Sequence, residues 1–311
     1  MCRFTIIMTI VTNQLLIEEP LKCVSQPAEG EVITSLQTKN TYVIGQVIGE
    51  GSFSIVYSCL DSWNNELAVK VLKPIGSYEK IKRDAENEFL RLLQLRHPTI
   101  TFVYDAFEYR DTFYIVMERC HGSITEIFDL KNLNGMSWFM PMAKQLLQAV
   151  NYLHINNYVH QDIHEGNVFS TFIGDEMIPS KEKIIQFKLG DLGVSKLLHE
   201  VNAANTRAQW MLPPEVINPQ EYGPIDTRVD IYHLGLLFLQ LAYSKRLQFT
   251  PQETLEGKPR EMALQLHSPF NFALEKALRR HVMYRTRNTM ELWRDLNAPA
   301  LPALGNIVPL F

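Results

Sequence analysis

Side chains that could move a proton and hold a metal ion occur in two short segments of the sequence. Asp162 and Asn167 are five positions apart, in a stretch expected to form a loop entered from a helix and left by an apolar strand. With this spacing, the carboxylate of Asp162 can act as a base near a hydroxyl group, while the amide oxygen of Asn167 binds a metal ion. Asp191 stands at the end of a second apolar strand, beside Gly190. A carboxylate in that position is suited to a Mg²⁺ ion that bridges phosphates.

A glycine-containing turn earlier in the chain could bind those phosphates. Gly49 and Gly51 belong to the pattern Gly-x-Gly-x-Phe-Ser, which ends at Phe53 and Ser54. Glycine has no Cβ, so its backbone N–H groups can approach anionic oxygens closely. Because the turn joins two strands and not a strand and a helix, it argues against a dinucleotide-binding fold and indicates a lid over a triphosphate. The alternative is an ordinary hairpin turn.

Lys70 is the candidate cation for the same phosphates. It lies 19 positions after Gly51, in the middle of the next strand and between apolar residues. A lysine there could also simply face solvent. If it binds phosphates, it needs a carboxylate to hold it in place. We favour Glu88 on the following helix over Glu86, which lies on a different face of that helix.

The elements that position these residues are predicted from hydrophobic periodicity. The expected strands are 42–48 with a break at Gly45, 54–60, 66–72, 101–104 and 112–117. The expected helices are 80–96, which ends at His97-Pro98, 142–155 and 231–243. The polar stretch 26–40 is expected to be a linker, so the domain should begin near Thr41.

Composition excludes several classes of protein. The 311 residues carry a formal net charge of −4 and are 46% hydrophobic, so the chain can form a full core and has no global basic field for nucleic acid. Residues 12–19 are too polar to extend the apolar amino terminus into a membrane span, so we expect a dispensable or structural extension; a targeting role is the alternative. The four cysteines show no CxxC spacing, which favours a reducing, cytoplasmic setting: Cys2, Cys23, Cys59 and Cys120.

In order and spacing, these motifs resemble the eukaryotic-type protein kinase family, serine/threonine branch, with the catalytic loop HQDIHEGN at 160–167. The resemblance covers about 41–297 and implies an α+β fold of two lobes. A small antiparallel β-sheet lobe with one helix would span 41–119, and a larger, mainly helical lobe 120–297. Residues 1–40 would be an N-terminal extension and linker, and 298–311 a C-terminal tail.

The resemblance implies phosphoryl transfer from Mg-ATP to serine or threonine hydroxyls of a protein substrate. Asp162 would orient the hydroxyl and accept its proton, and Asn167 and Asp191 would hold two Mg²⁺ ions. Lys70 and Glu88 would clamp the phosphates. Other classes are a pseudokinase scaffold that binds nucleotide or partners without catalysis, and a small-molecule kinase of related fold. No nucleic-acid or membrane partner is expected.

By the same resemblance, the lobes would enclose ATP. Met117 would be the gatekeeper, the hinge at 118–120 would bind adenine through its backbone, and Phe169 would lie below adenine, where the family usually has leucine. The residues implied to contact ATP are Ile48, Gly49, Glu50, Gly51, Ser52, Phe53, Ser54, Val56, Ala68, Lys70, Met117, Glu118, Cys120, Ser123 and Phe169.

Structural anchors are implied as well. Glu215 of Pro213-Pro214-Glu215 would pair with Arg287, and Asp230 would be the buried aspartate of a central helix. Gly193 follows the metal aspartate and Leu192. A regulatory column would join the lobes through Leu92, Val103, His160 and Leu192.

Two residues depart from the family pattern near the base. Gln161 replaces an arginine that usually meets a phosphorylated activation segment, so activity is expected without phosphorylation of Thr206; Lys196 is another cation that could take over. His164 replaces a lysine, and its help to the transferring group is expected to fall as pH rises through about 6.5.

The chain is also longer than the family pattern in one place. Asn167 and Asp191 are 24 positions apart, and the extra residues are expected to form an exposed, tolerated loop. A partner site is the alternative. For the apolar, proline-rich tail, docking on the domain, contact with a partner, and truncation of a longer tail all stay open.

Overall fold

The computed structural model describes residues 26–51, 54–73, 82–83, 95–174, 183–192, 196–197 and 211–299. Its N-terminal part is a six-stranded antiparallel sheet with the strand order β1-β2-β3-β4-β6-β5. The strands are β1 (Val32–Thr34), β2 (Thr41–Glu50), β3 (Ser54–Asp61), β4 (Glu66–Leu72), β5 (Val103–Tyr109) and β6 (Thr112–Glu118).

Alternation along the strands explains the core of this sheet. In β3, Ile55, Tyr57 and Cys59 are buried while the residues between them are more accessible. They belong to one hydrophobic cluster with residues of β2, β4, β5 and β6. The predicted strands 54–60 and 66–72 are therefore confirmed. The strand expected at 101–104 instead spans Val103–Tyr109.

The segment 26–40 is not the linker that its polarity predicts. β1 pairs with β2 in the register Ile33 to Tyr42, and both side chains are buried in the sheet core. The Tyr42 hydroxyl also donates to Asp105 Oδ2 at 2.9 Å. Because β1 is paired into this sheet, the segment that contains it belongs to the folded part of the chain.

The C-terminal part is mainly helical, and two helices form its centre. α2 (Gly135–Ile155) buries one apolar face, and α5 (Arg228–Tyr243) is buried from Val229 to Leu241. A helix that is apolar on all sides belongs inside a domain. The other helices are α1 (Thr125–Phe128), α3 (Pro214–Ile217), α4 (Pro219–Tyr222), α6 (Pro251–Glu256), α7 (Lys258–Leu264), α8 (Phe270–Ala277) and α9 (Thr289–Leu296).

Both central helices begin earlier than the sequence indicates. α2 starts at Gly135, seven residues before the predicted start at Met142, and includes Pro141. Gly135 is needed there because a Cβ would collide with the backbone of Leu241 in α5. The Ser244 hydroxyl accepts a hydrogen bond from Gly135 N at 2.9 Å. This contact fixes the start of α2 against the end of α5.

Two smaller sheets follow the six-stranded sheet along the chain. β7 (Gly122–Ser123), β9 (Val168–Gly174) and β10 (Lys183–Leu189) form a three-stranded sheet, and β8 (Tyr158–Val159) pairs with β11 (Lys196–Leu197). The loop between β8 and β9 carries Asp162 and Asn167. In the part of the chain that the structure describes, no helix has the length and apolar character needed to cross a membrane.

Candidate active site

Lys70 and Asp191 meet between the two parts of the chain. Lys70 projects from β4, and its Nζ lies 2.9 Å from Asp191 Oδ1, just past the end of β10. The lysine side chain is 13% exposed and the aspartate side chain 45% exposed. Asp191 has a φ of 53°, a left-handed conformation that aspartate tolerates better than most residues. The arrangement puts a cation and a carboxylate side by side between the β-sheet part and the helical part.

Asn167 is held against Asp162 in a defined orientation. Its Nδ2 donates to the Asp162 backbone oxygen at 2.8 Å and to Asp162 Oδ2 at 2.9 Å. Two acceptors near one atom identify it as the amide nitrogen, so the amide oxygen points elsewhere. Gly190 N donates to the Asn167 backbone oxygen at 2.9 Å, which ties this loop to the segment before Asp191.

His164 is the second neighbour of Asp162. His164 Nδ1 accepts from Gly166 N at 3.0 Å, and its Nε2 lies 3.6 Å from Asp162 Oδ2. Burial opposes the charged form of Asp162, but the hydrogen bond and charge of His164 outweigh it and lower the pKa of Asp162. Burial likewise opposes charge on His164, but Asp162 outweighs it and raises the pKa of His164. The pH window predicted at about 6.5 from histidine's ordinary value therefore moves upward.

A buried carboxylate anchors the start of the same loop. The backbone N–H groups of His160 and Gln161 donate to Asp230 at 2.9 and 2.8 Å, and His154 Nε2 lies 2.8 Å from it. Burial raises the pKa of Asp230, but His154 outweighs burial, so its pKa is lowered. Asp162 N donates to His160 Nδ1 at 3.3 Å, so Nε2 of His160 carries the proton donated to the Gly190 oxygen at 3.0 Å.

The residues expected around adenine occupy adjacent strands. Val56 pairs with Lys70, and Ala68 pairs with the predicted gatekeeper Met117. Within the described residues, the backbone N–H of Cys120 has no hydrogen-bond partner, so it is available to a ligand. Phe169 packs on Gly190, where a Cβ would lie 2.6 Å from Phe169 Cε2.

The glycine turn is braced by a residue that the sequence analysis did not single out. Gly51 N donates to the Ser54 oxygen at 2.9 Å, which closes the turn. Lys73 Nζ lies 2.7 Å from Glu50 Oε1 and donates to the Gly51 oxygen at 2.9 Å. Ile48 at the start of the turn is 46% exposed. Lys73 was not recognisable because it lies past the end of β4, where a lysine belongs to no hydrophobic pattern.

A second missed residue lies behind the hinge. Lys188 of β10 is 8% exposed, and its Nζ lies 2.8 Å from the carboxylate of Glu118. Ser123, expected near the ribose, pairs with Phe169 through β7 and β9. A lysine one residue from a strand end is normally solvent-facing, so only the fold places Lys188 against this glutamate.

The predicted pair between Glu215 and Arg287 is wrong. Arg285 makes this contact: its Nη1 and Nη2 donate to the two oxygens of Glu215 at 2.6 and 2.7 Å, and both side chains are fully buried. A single turn of 3₁₀ helix, Val282–Tyr284, turns Arg285 inward. Arg287 is exposed, and its backbone N–H donates to Glu291 at the start of α9. Spacing alone cannot distinguish two arginines two positions apart when the local turn is unknown.

Several predicted residues lie outside the described part of the chain: Ser52, Phe53, Glu86, Glu88, Leu92, Gly193 and Thr206. Of the regulatory column, Val103, His160 and Leu192 are buried. Val103 and Leu192 belong to one hydrophobic cluster that includes residues from both parts of the chain.

Comparison with known proteins agrees with this architecture. The family model described as the protein kinase domain matches residues 42–292. A β-sheet part, a helical part and a lysine–aspartate contact between them are consistent with the two-lobed fold of a protein kinase. The chain belongs to the protein kinase domain family, whose members generally use ATP and a divalent metal ion.

Individual relatives are similar over part of this chain. Serine/threonine-protein kinase TAO2 of Xenopus laevis is 32% identical over 202 residues, which is 64% of this chain and 18% of that protein. TAO3 of the same organism is 31% identical over 71% of this chain and 24% of that protein. The probable serine/threonine-protein kinase zyg-1 of Caenorhabditis briggsae is 31% identical over 72% and 29%. The chain therefore spans less than a third of these relatives' length.

Proposed function

We propose that this chain transfers the γ-phosphoryl group of Mg-ATP to serine or threonine hydroxyls of protein substrates. The observation that carries the proposal is that two side-chain pairs, Lys70 with Asp191 and Asn167 with Asp162, each meet at 2.9 Å. A 2.9 Å backbone hydrogen bond from Gly190, the residue before Asp191, to Asn167 links the two pairs. The similar proteins are named as serine/threonine-protein kinases, which supports the substrate class.

The acid–base step rests on Asp162. Its lowered pKa keeps the carboxylate ionised near neutral pH, so it can accept the hydrogen bond of a substrate hydroxyl and then its proton. Asn167 fixes one carboxylate oxygen, and His164 lies beside the same oxygen. The other oxygen, Oδ1, is the one that would face the substrate.

The phosphate-binding side rests on Lys70, Asp191 and Asn167. A carboxylate and an amide oxygen are ligands of the kind that Mg²⁺ prefers, so Asp191 and Asn167 fit the metal. When bound, Mg²⁺ supplies positive charge that neutralises phosphate oxygens. Lys70 now neutralises Asp191, and it is placed to bind phosphate oxygens when the aspartate binds metal. The N–H of Cys120, which is unpaired among the residues that the structure describes, can donate to adenine.

The test is phosphate incorporation from Mg-ATP into generic protein substrates and into the chain itself, with modified residues identified by mass spectrometry. Asp162→Asn should abolish turnover and leave nucleotide affinity within about threefold, because the base acts on the acceptor and not on ATP. Glu256→Gln, an exposed carboxylate change in α6, is the matched control and should retain the parent rate.

The outcomes separate the candidate functions. Phosphoserine or phosphothreonine formed by the parent and by Glu256→Gln, but not by Asp162→Asn, is the expected result. Phosphotyrosine would correct the substrate class. ATP binding without turnover in all three proteins would contradict the proposal and favour a scaffold that binds nucleotide without catalysis.

A further inference from the structure

A groove runs along the side of the molecule behind the hinge. It consists of two adjoining cavities of about 600 Å³ and 470 Å³, which share His97 and Pro98 in their walls. We call it the rear groove and define it by six of the residues that line it: Arg96, His97, Tyr104, Lys144, Ile155 and Gln186. The volume of each cavity is large enough for several side chains of a bound peptide.

Regular elements form its two long walls. On one side, the helix α2 contributes Lys144, Gln148, Asn151 and Ile155, which follow one another at spacings of four, three and four and so lie on one helix face. On the other side, β10 contributes Gln186 and Lys188, two residues apart and therefore on one face of the strand. The helical wall is about 16 Å long, which matches about five residues of extended peptide.

The charge of the groove is unbalanced. Among the residues that line the groove, Glu118 is acidic. Its carboxylate lies 2.8 Å from Nζ of Lys188, so its charge is balanced. Arg96 and Lys144 are exposed, one in each cavity, and within the described residues neither has a carboxylate partner. Two cations without counter-charges in a chain with net charge −4 favour an acidic ligand.

The groove also exposes apolar and aromatic surface. Tyr104 is 51% exposed and packs edge-on against Phe102 at a centroid distance of 4.8 Å. The Arg96 guanidinium lies 4.9 Å from the centroid of the Phe102 ring. Ile155 at the far end is 68% exposed. Aromatic and arginine side chains together are typical of the energetic centre of protein–protein interfaces.

We propose that the rear groove binds an extended segment of a partner protein that carries acidic residues at both ends and an aliphatic or aromatic side chain between them. The acidic residues pair with Arg96 and Lys144, and the apolar side chain packs on Tyr104 or Ile155. Arg96 and Lys144 do not belong to the catalytic site, so the groove can be tested separately from phosphoryl transfer.

The test measures peptide binding to the full chain by fluorescence anisotropy. The probe is a labelled peptide of about ten residues, long enough to span the groove when extended, with glutamates at both ends and leucines around a central phenylalanine. The matched probe has lysine in place of every glutamate. The variants are Arg96→Glu with Lys144→Glu and, as control, Lys131→Glu, an exposed lysine between α1 and α2 that does not line the groove.

The expected result is binding of the acidic probe that weakens about tenfold or more in the double charge reversal and that falls with added salt. Lys131→Glu should bind like the parent, the double reversal should prefer the lysine probe, and phosphorylation of a generic substrate should be unchanged in both. Equal affinity of the parent for the two probes, or no effect of the reversal, would overturn the proposal. Tighter binding after deletion of 300–311 would assign the groove to the chain's own tail, and a dimer broken by the same reversals would assign it to a second copy.

Discussion

The aromatic ring of Phe169 occupies the space that a side chain at position 190 would need. A Cβ on Gly190 would lie 2.6 Å from Phe169 Cε2 and 3.1 Å from Thr101 Cγ2. Phe169 is the residue expected below adenine, and Gly190 directly precedes Asp191. The phenylalanine and the glycine are therefore matched in size, and the floor of the proposed nucleotide site would depend on both.

Gly190→Ala is expected to weaken ATP binding. The added methyl group must displace the Phe169 ring, and overpacking of this kind costs roughly 1 to 3 kcal/mol, which corresponds to about fivefold to 150-fold in affinity if the cost falls on ATP binding. Phe169→Leu should make room, so the double variant should bind ATP within about threefold of the parent. The measurement is the dissociation constant of Mg-ATP by isothermal titration calorimetry.

Gly174→Ala is the matched control for this cycle. Gly174 lies at the end of the same strand as Phe169, and a Cβ there would have no atom of the described residues within 4 Å. Its ATP affinity should equal that of the parent. Additive effects of Gly190→Ala and Phe169→Leu, with no recovery in the double variant, would show that the two side chains do not compete for space.

The glycine turn, Lys70, Asp162, Asn167 and Asp191 could be predicted because each has a chemical type and a sequence context. Their contacts could not. The 2.9 Å contact between Lys70 and Asp191 joins residues 121 positions apart, and nothing in the local pattern specifies which carboxylate the lysine meets. The role of each residue stays a prediction until activity is measured.

The parts of the fold that sequence analysis missed share a physical cause. β1 could not be predicted because, of its three residues, only Ile33 is buried in the core. A single buried apolar residue gives no recognisable strand pattern. Arg285 was hidden because its direction depends on a single 3₁₀ turn. The early start of α2 depends on contact with Leu241, which is distant in sequence. Tertiary packing, and not local propensity, decides these three features.

Arg285→Met is expected to destabilise the protein strongly. It leaves the fully buried Glu215 carboxylate without its cation, which typically costs about 3 to 5 kcal/mol. The matched variant is Arg287→Met, two positions away at an exposed site, where we expect a change within about 0.5 kcal/mol. Urea unfolding followed by tryptophan fluorescence measures both. The reverse order of effects would restore the pairing predicted from sequence.

His233 is expected to make the protein sensitive to acid. It is buried, and neither ring nitrogen has a hydrogen-bond partner in the described part of the chain. Burial lowers its pKa to about 4, with the charges of Asp230 and Asp162 acting against burial and those of His160 and His164 acting with it. In the unfolded chain a histidine titrates near 6.5. Between these values the unfolded state binds more protons, so stability falls as pH drops, by up to about 3 kcal/mol.

His233→Met replaces the titrating imidazole with an uncharged side chain of similar volume. The difference in free energy of unfolding between variant and parent should therefore grow as pH falls from about 7 to about 4.5. His267→Met, at an exposed histidine, is the control for a change of histidine to methionine, and its free energy of unfolding at neutral pH should lie within about 0.5 kcal/mol of the parent's. A constant offset between His233→Met and the parent across this range would mean that His233 does not take up a proton on unfolding.

Thr206→Ala is expected to leave activity nearly unchanged. Gln161, which stands where an arginine usually meets a phosphorylated activation segment, is neutral, 1% exposed and bound through its backbone to Asp230. Gln161 therefore supplies no positive charge for a phosphate on Thr206. Initial rates should agree within about twofold among the parent, the parent treated with phosphatase, and Thr206→Ala. A loss above roughly tenfold, the value of one charge-assisted contact, would show that another cation, with Lys196 the first to test, has taken the place of the arginine.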